Sequence, residues 1–294
     1  MSLLDGKALA ATIRSEIKEE VSSLVLKTSR PPKLVAVLVG EDGPSETYVN
    51  AKVKDCLEVG FKSEAIRLPK DATEEKVLDT VHQLNTDDSV DGFIVQLPLP
   101  DHIDDQKVLQ SINPSKDVDG FHPENIGKMA LGLDGFIPAT PAGIIEMLKR
   151  AKVETEGKHC VIIGRSKIVG MPMGLLMSKN AYPGNCTVVQ THSRTANLKE
   201  LCAEADIIIA ALGRPSFVTA DMVKEGAIVV DVGISRVEDA SRKRGYRIVG
   251  DVDFENVVDK CSYISPVPGG VGPMTRTALL MNTLKSYKNK MLNS

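Results

Sequence analysis

The chain has 294 residues, with 42% hydrophobic and 26% charged residues, a formal charge of −3 and a pI near 6.0. That length makes two domains the natural expectation, and the mixture is that of an ordinary globular protein able to bury real cores. The charge gives no call for nucleic acid or an anionic membrane as partner, and 4% aromatics without Trp argue against base-stacking platforms.

Residues 7–25 read as an amphipathic helix, with Ile13, Ile17, Val21 and Leu24 at helical spacing. After Pro31-Pro32, the apolar run Leu34 to Val39 reads as a buried strand ending at Gly40. Ser45 is a candidate N-cap for a second helix, which Gly60 would end. A strand near Ala65–Leu68, a helix over about 73–85 and a strand over Phe93–Leu97 follow, the last stopped by Pro98 and Pro100. Alternating strands and helices predict an α/β domain of three layers around a parallel sheet.

Residues 112–140 are rich in Gly, Pro and Asp and show little periodicity, so they read as irregular. Pro141–Arg150 reads as a connecting helix, and the pattern then restarts. Strands are expected at 159–163, 186–191, 206–210 and 227–232, with helices between them, as a Rossmann-type second domain. A last helix runs from about Met274 to Lys290, and its position predicts a return onto the first domain. The expected division is 1–140 with 274–294 against 141–273.

The five cysteines (56, 160, 186, 202 and 261) form no C-x-x-C pair and sit in apolar runs, which fits reduced, buried thiols. Met1–Asp5 lacks a basic region followed by an apolar run, so no signal peptide is expected, and no stretch approaches a membrane span. A cytoplasmic protein with no membrane partner is the expectation, and the acceptor-like Asn185-Cys186-Thr187 is read as chance.

Gly164-Arg165-Ser166-Lys167-Ile168-Val169-Gly170 follows a predicted strand and opens a helix. It departs from G-x-G-x-x-G, because Ser166 replaces the second glycine and the last is displaced by one. It is either a dinucleotide turn or an ordinary strand-to-helix turn. Gly164 permits the tight turn, small Ser166 lets backbone amides approach phosphate, and the helix start favours an anion. The next strand ends in Gln190-Thr191-His192-Ser193-Arg194-Thr195, with no acid to bind a ribose 2′-hydroxyl. Ser193, Arg194 and Arg165 suit a 2′-phosphate instead, which favours NADP over NAD; the alternative is a solvated polar turn.

Tyr48 and Lys52 lie four apart and so share one helix face, while Lys54 falls elsewhere. They are either a surface pair or part of a site at the carboxyl end of the preceding strand. Gln96 reaches the end of another strand, where it either holds a neutral Lys amine or caps a backbone group. Asp117-Val118-Asp119-Gly120 lacks the remaining positions of a calcium loop and reads as a turn. Pro266–Pro273 is a stiff Gly/Pro loop before the last helix, able to bring backbone close to a ligand. P-loop, H-E-x-x-H and G-x-S-x-G patterns are absent, and no metal site is expected.

Five motifs in this order resemble the bifunctional methylenetetrahydrofolate dehydrogenase/methenyltetrahydrofolate cyclohydrolases. They are Ser45-x-x-Tyr48-Val49-x-x-Lys52, Gln96–Pro100, Lys116–Gly120, Gly164–Pro172 and Pro266–Thr275. The resemblance runs from Gly6 to Thr283. It implies oxidation of 5,10-methylenetetrahydrofolate with NADP and hydrolysis of the product to 10-formyltetrahydrofolate. It implies Lys52 as the essential lysine of the cyclohydrolase step, Tyr48 as the residue that packs on the folate ring and helps orient Lys52, and Gln96 as the hydrogen-bond partner of Lys52. Asp119 would bind the pterin's amino edge, and Pro268 and Gly272 would line the folate pocket. Arg165 and Ser193, with Arg194, would bind the 2′-phosphate, with Gly164, Ser166 and Ile234 also at the cofactor. A homodimer with a cleft between its domains is implied as well. Three features depart from the family: Ala139 where Cys is frequent, Ser235 where Asn is common, and residues 181–185, a short insertion expected near the adenosine end of the cofactor. A dehydrogenase without hydrolase activity and a non-catalytic nucleotide-binding protein are the competing readings.

Overall fold

The structure is a computed structural model that describes residues 2–40, 43–242 and 245–292. In chain order its elements begin with β1 (Ser2–Leu3), α1 (Gly6–Thr28), β2 (Lys33–Val39), α2 (Gly43–Glu58), β3 (Lys62–Leu68) and α3 (Glu74–Thr86). Next come β4 (Gly92–Val95), α4 (Asp105–Ser111), α5 (Pro123–Leu131) and α6 (Ala139–Arg150). They continue with β5 (His159–Ile163), α7 (Gly170–Ser178), β6 (Thr187–Thr191), α8 (Leu198–Glu204), β7 (Ile207–Ala210) and β8 (Ala227–Asp231). The last are β9 (Ser235–Glu238), β10 (Tyr246–Val249), α9 (Phe254–Val257), β11 (Cys261–Ile264) and α10 (Val271–Leu292). They divide into two compact units: residues 11–139 with the chain from 276 on, and residues up to 10 with 140–275.

In the first unit β2 is the central strand of a parallel sheet ordered β3-β2-β4. Its unbroken apolar run reflects burial on both faces. Val35, Val37 and Val39 enter a core with Val77, Val81, Phe93 and Val108, while Leu34, Ala36 and Leu38 are buried on the opposite face. β3 is an edge strand and alternates accordingly. Three polar side chains fasten α10 to this unit. Asn282 Nδ2 donates to Val118 O at 2.8 Å, Ser286 Oγ to Asp91 O at 2.6 Å, and Tyr287 Oη to Arg30 O at 2.7 Å.

Several local expectations are corrected. α2 begins at Gly43, so Ser45 is not its N-cap but a buried residue of its first turn. β4 stops at Val95, although Gln96 N still donates to Val37 O at 2.8 Å and so prolongs the ladder by one bond. The segment read as irregular contains α5. Its N-cap is His122, whose Nδ1 accepts from Glu124 N at 3.1 Å, with Pro123 next and Gly132 ending it at φ 72°. Proline at the start and glycine past the end are the usual helix punctuation, and the turn-like composition concealed them. α10 begins at Val271, so Gly272 and Pro273 belong to its first turn rather than to the loop before it.

In the second unit a six-stranded sheet runs β1-β11-β8-β7-β5-β6, every pairing parallel. β1, β11 and the antiparallel hairpin β9–β10 were not anticipated. β5 lies between β6 and β7, so the order reverses beside it; open α/β sheets bind ligands at such a point, beyond the carboxyl ends of the strands. The 181–185 segment corrects another expectation. It folds against the end of α7, with Cys186 N donating to Met177 O at 2.9 Å and Gly184 N to Thr155 Oγ1 at 2.9 Å. It therefore lies before β6, a strand length of roughly 15 Å from Ser193 at the other end.

Candidate functional site

In the first unit, α2 follows the carboxyl end of β2 and presents Tyr48 and Lys52 on one face. Lys52 is buried, with Nζ 4.7 Å from the centre of the Tyr48 ring. Gln96 projects from just past β4, and its Oε1 accepts from Lys52 Nζ at 3.2 Å. Gln96 Nε2 is held in turn by Leu97 O at 2.8 Å, which fixes which end of the amide faces the lysine. Lys54 points elsewhere and is exposed. Of the two sequence readings of the pair, a solvated surface couple is excluded by this burial.

Asp119 belongs to the same group. Its neighbour Asp117 is fully buried and builds the turn, accepting from His122 N at 2.8 Å and Asn125 Nδ2 at 2.9 Å. That leaves Asp119 as the acid of the pair available to a ligand. Burial lowers the Lys52 amine below its ordinary range, and the nearby Asp119 charge only partly opposes this. Burial likewise raises the Asp119 carboxyl, opposed by Lys52. The Tyr48 phenol is raised too, by burial first and then by Asp119. The group thus favours neutral forms while keeping hydrogen-bonding atoms together.

The sequence reading missed a charged pair beside this group. Arg276 Nε stands 3.0 Å from Asp55 Oδ2, and both groups bear electrostatically on Tyr48. Asp55 lies one turn past Lys52, but its partner is distant in sequence and no local spacing reveals it.

In the second unit, Gly164 follows β5 at φ 130°, where a Cβ would lie 2.3 Å from Ala211 O. Only glycine fits that turn. Ser166 also serves the helix that follows it: its Oγ accepts from Val169 N at 3.2 Å and from Gly170 N, at the start of α7, at 3.3 Å. Arg165, Ser193 and Arg194 are exposed. Register places them at the ends of neighbouring strands, since Ile163 pairs with Thr191 and Gly164 N donates to Thr191 O at 3.0 Å. No acid stands at the end of β6, and His192 Nδ1 accepts from Arg194 N at 3.1 Å, shaping the turn. A cavity of about 180 Å³ in this unit is lined by Ile234, Pro268 and Gly272 among others, and Ile234 is 63% exposed.

All five cysteines are free and buried. Among the described residues no group of three or more His, Cys, Asp or Glu could hold a metal, and no helix is long and apolar enough to cross a membrane.

Comparison with known proteins gives concordant matches. A family profile described as the tetrahydrofolate dehydrogenase/cyclohydrolase catalytic domain matches residues 4–119, and one described as the NAD(P)-binding domain of the same family matches residues 138–291. The chain is 58% identical to the bifunctional protein FolD of Cytophaga hutchinsonii over 286 residues, covering 97% of this chain and 99% of that one. It is 59% identical to the protein of the same name from Flavobacterium johnsoniae, covering 99% and 100%. Among solved structures it resembles the bifunctional FolD methylenetetrahydrofolate dehydrogenase/cyclohydrolase of Campylobacter jejuni, with a TM-score of 0.92, 50% identity and coverage of 98% and 99%. It also resembles the Trypanosoma brucei enzyme solved with NADP cofactor and an inhibitor, with a TM-score of 0.91, 37% identity and coverage of 97% and 96%.

Proposed function

Because the chain belongs to the tetrahydrofolate dehydrogenase/cyclohydrolase family, we infer that it oxidises 5,10-methylenetetrahydrofolate with NADP and hydrolyses the methenyl product to 10-formyltetrahydrofolate. One observation carries the reading furthest: a buried lysine, held by Gln96 at 3.2 Å and flanked by the Tyr48 ring.

The hydrolytic step follows from that geometry. The buried Lys52 amine is less basic than a solvated one, because burial favours its neutral, proton-accepting form. Gln96 Oε1 accepts one N–H and orients the nitrogen. As water attacks the methenyl carbon, a C–O bond forms and the lone pair of Lys52 takes the water's proton. The adduct's hydroxyl then gives up its proton as its oxygen forms the formyl C=O, the C–N5 bond breaks, N5 takes a proton, and the formyl group stays on N10. Tyr48 packs on the folate ring, and Asp119 binds its amino edge.

NADP, when bound, supplies the hydride acceptor for the first step. The residues of the second unit suit it. Gly164 gives the close turn, exposed Arg165, Ser193 and Arg194 offer donors to a 2′-phosphate, and the turn after β6 carries no acid to repel one. Ser166 holds the start of α7, and Ile234 lines a cavity together with Pro268 and Gly272, the two residues assigned to the folate. The chain's part in oxidation is chiefly proximity and orientation.

The same reading assigns folate chemistry to the first unit and the cofactor to the second, and takes the enzyme as a cytoplasmic homodimer without nucleic-acid partners. Sedimentation equilibrium checks the dimer. The activity itself is tested by absorbance-monitored turnover of purified protein with methylenetetrahydrofolate, comparing NADP with NAD. NADP-dependent reduction with little methenyl build-up is expected. Absence of reduction with either cofactor, in folded protein, overturns the dehydrogenase assignment.

A further inference from the structure

Two carboxylates of the second unit lie outside every motif discussed above. Asp251 is fully buried and Asp231, at the end of β8, is 3% exposed. An unpaired carboxylate in such a place is costly, and among the described residues no Lys or Arg forms an ion pair with either of these two. Backbone amides surround them instead. Asp251 Oδ2 accepts from Leu212 N at 2.8 Å and Gly213 N at 2.9 Å, in the loop that follows β7. Asp231 Oδ1 accepts from Gly233 N at 2.9 Å, in the loop that follows β8, and from Asp251 N at 2.9 Å. Asp231 Oδ2 accepts from Val252 N at 3.0 Å. The 250–252 segment, through its side chain and its amides, therefore ties together the loops beyond two adjacent strands. Gly233 passes so near Asp251 that a Cβ there would lie 2.3 Å from Oδ1, an oxygen with no partner among the described residues.

The place of these loops gives the clamp its meaning. In a sheet of this kind the first strand-to-helix turn receives the pyrophosphate, and the strand on one side of it carries the adenosine ribose. Here those are β5 and β6. The loops after β7 and β8, across the reversal of strand order, remain for the redox end of the dinucleotide. The β8 loop also walls the cavity that Pro268 and Gly272 line.

We propose that Asp231 and Asp251 are positioning residues of the oxidation step, whose carboxylates hold the loops at 211–213 and 232–234 in the arrangement that receives the redox end of NADP. This rests on the dehydrogenase reading above. An apolar pair of similar volume could fill the same space without buried charge, but it could not accept five amides in fixed directions.

The test uses the full chain and the variants Asp251→Ala, Asp251→Asn and Asp231→Ala. NADPH binding is followed by fluorescence, oxidation by steady-state kinetics, and hydrolysis with methenyltetrahydrofolate supplied directly. Asp251→Ala frees two amides, so NADPH affinity or the oxidation kcat is expected to fall about tenfold or more. Hydrolysis, which uses the first unit, is expected to stay within about twofold. Asp251→Asn keeps one carbonyl oxygen for the same amides and should recover much of the loss, and it serves if the alanine variant does not fold. Unchanged binding and oxidation in Asp251→Ala overturn the proposal, as does a parallel loss of hydrolysis, which would mark a merely structural role. If the unaltered enzyme binds NADPH but oxidises nothing, the dehydrogenase reading fails, while the binding comparison still reads the clamp.

Discussion

Lys52 sets its Nζ 4.7 Å from the centre of the Tyr48 ring, one turn earlier on the same helix. The ring face favours a cation, and burial, the larger influence on the amine, opposes it. Tyr48→Phe keeps the face and is expected to keep most hydrolysis. Tyr48→Ala opens the site to water and should lose about tenfold or more, with a raised folate KM. Equal losses in the two variants would place the importance in the hydroxyl instead.

Lys52→Gln is expected to lower hydrolysis by about a hundredfold or more, the usual reach of a positioned proton acceptor. NADPH binding should be unchanged, because the residues proposed for it belong to the other unit. Hydrolysis at the original rate would remove Lys52 from the mechanism.

Gln96→Glu tests how Lys52 is kept weakly basic. A carboxylate near 3.2 Å from Nζ favours the protonated amine and raises its pKa. The neutral fraction at a given pH falls, so the ascending limb of the pH–rate profile should move to higher pH. A profile lowered uniformly, with no shift, would mean that Gln96 only orients the amine.

Arg165→Ala removes the charge-assisted contact proposed with the 2′-phosphate, a kind of contact worth about 1.5–3 kcal/mol. The NADP KM should rise by roughly tenfold or more, and the NAD KM should barely change. An equal rise for both cofactors would locate Arg165 at the pyrophosphate.

Asp231 supplies a pH test of stability. Burial pushes its carboxyl up from 3.8 to about 6, against the pull of three amides. The folded state therefore binds this proton more tightly than the unfolded chain. The favourable contribution is full below about pH 4 and is lost as pH rises through about 6, a swing of about 3 kcal/mol. The stability of the unaltered protein relative to Asp231→Asn should fall over that range, as followed by urea unfolding. A difference independent of pH would mean that Asp231 titrates normally.

Much of the fold could be read from local pattern. The run from Leu34 to Val39 announces a strand buried on both faces, and so does Val161–Ile163. Helix α5 carried legible punctuation in Pro123 and Gly132, hidden by a turn-like composition. β1 was not legible, because two residues hold no period and it exists through pairing with Tyr263 and Ile264. Ser45 looked like a helix cap because Ser favours that position, but the helix extends two residues further back.

For the site, sequence alone determined the residue types and the one-turn spacing of Tyr48 and Lys52, because helical geometry converts a separation of four into a shared face. It also determined the absence of an acid after Thr191. Only the tertiary structure decided that Gln96 meets Lys52, that Asp117 is spent on a turn while Asp119 is not, and that Ser166 holds the start of the helix that follows it. It alone joined Arg276 to Asp55 and gathered five amides around Asp231 and Asp251. The physical reason is common to all of these. Burial and hydrogen-bond partners between residues far apart in the chain are set by how strands are ordered in a sheet, and no local period encodes that order.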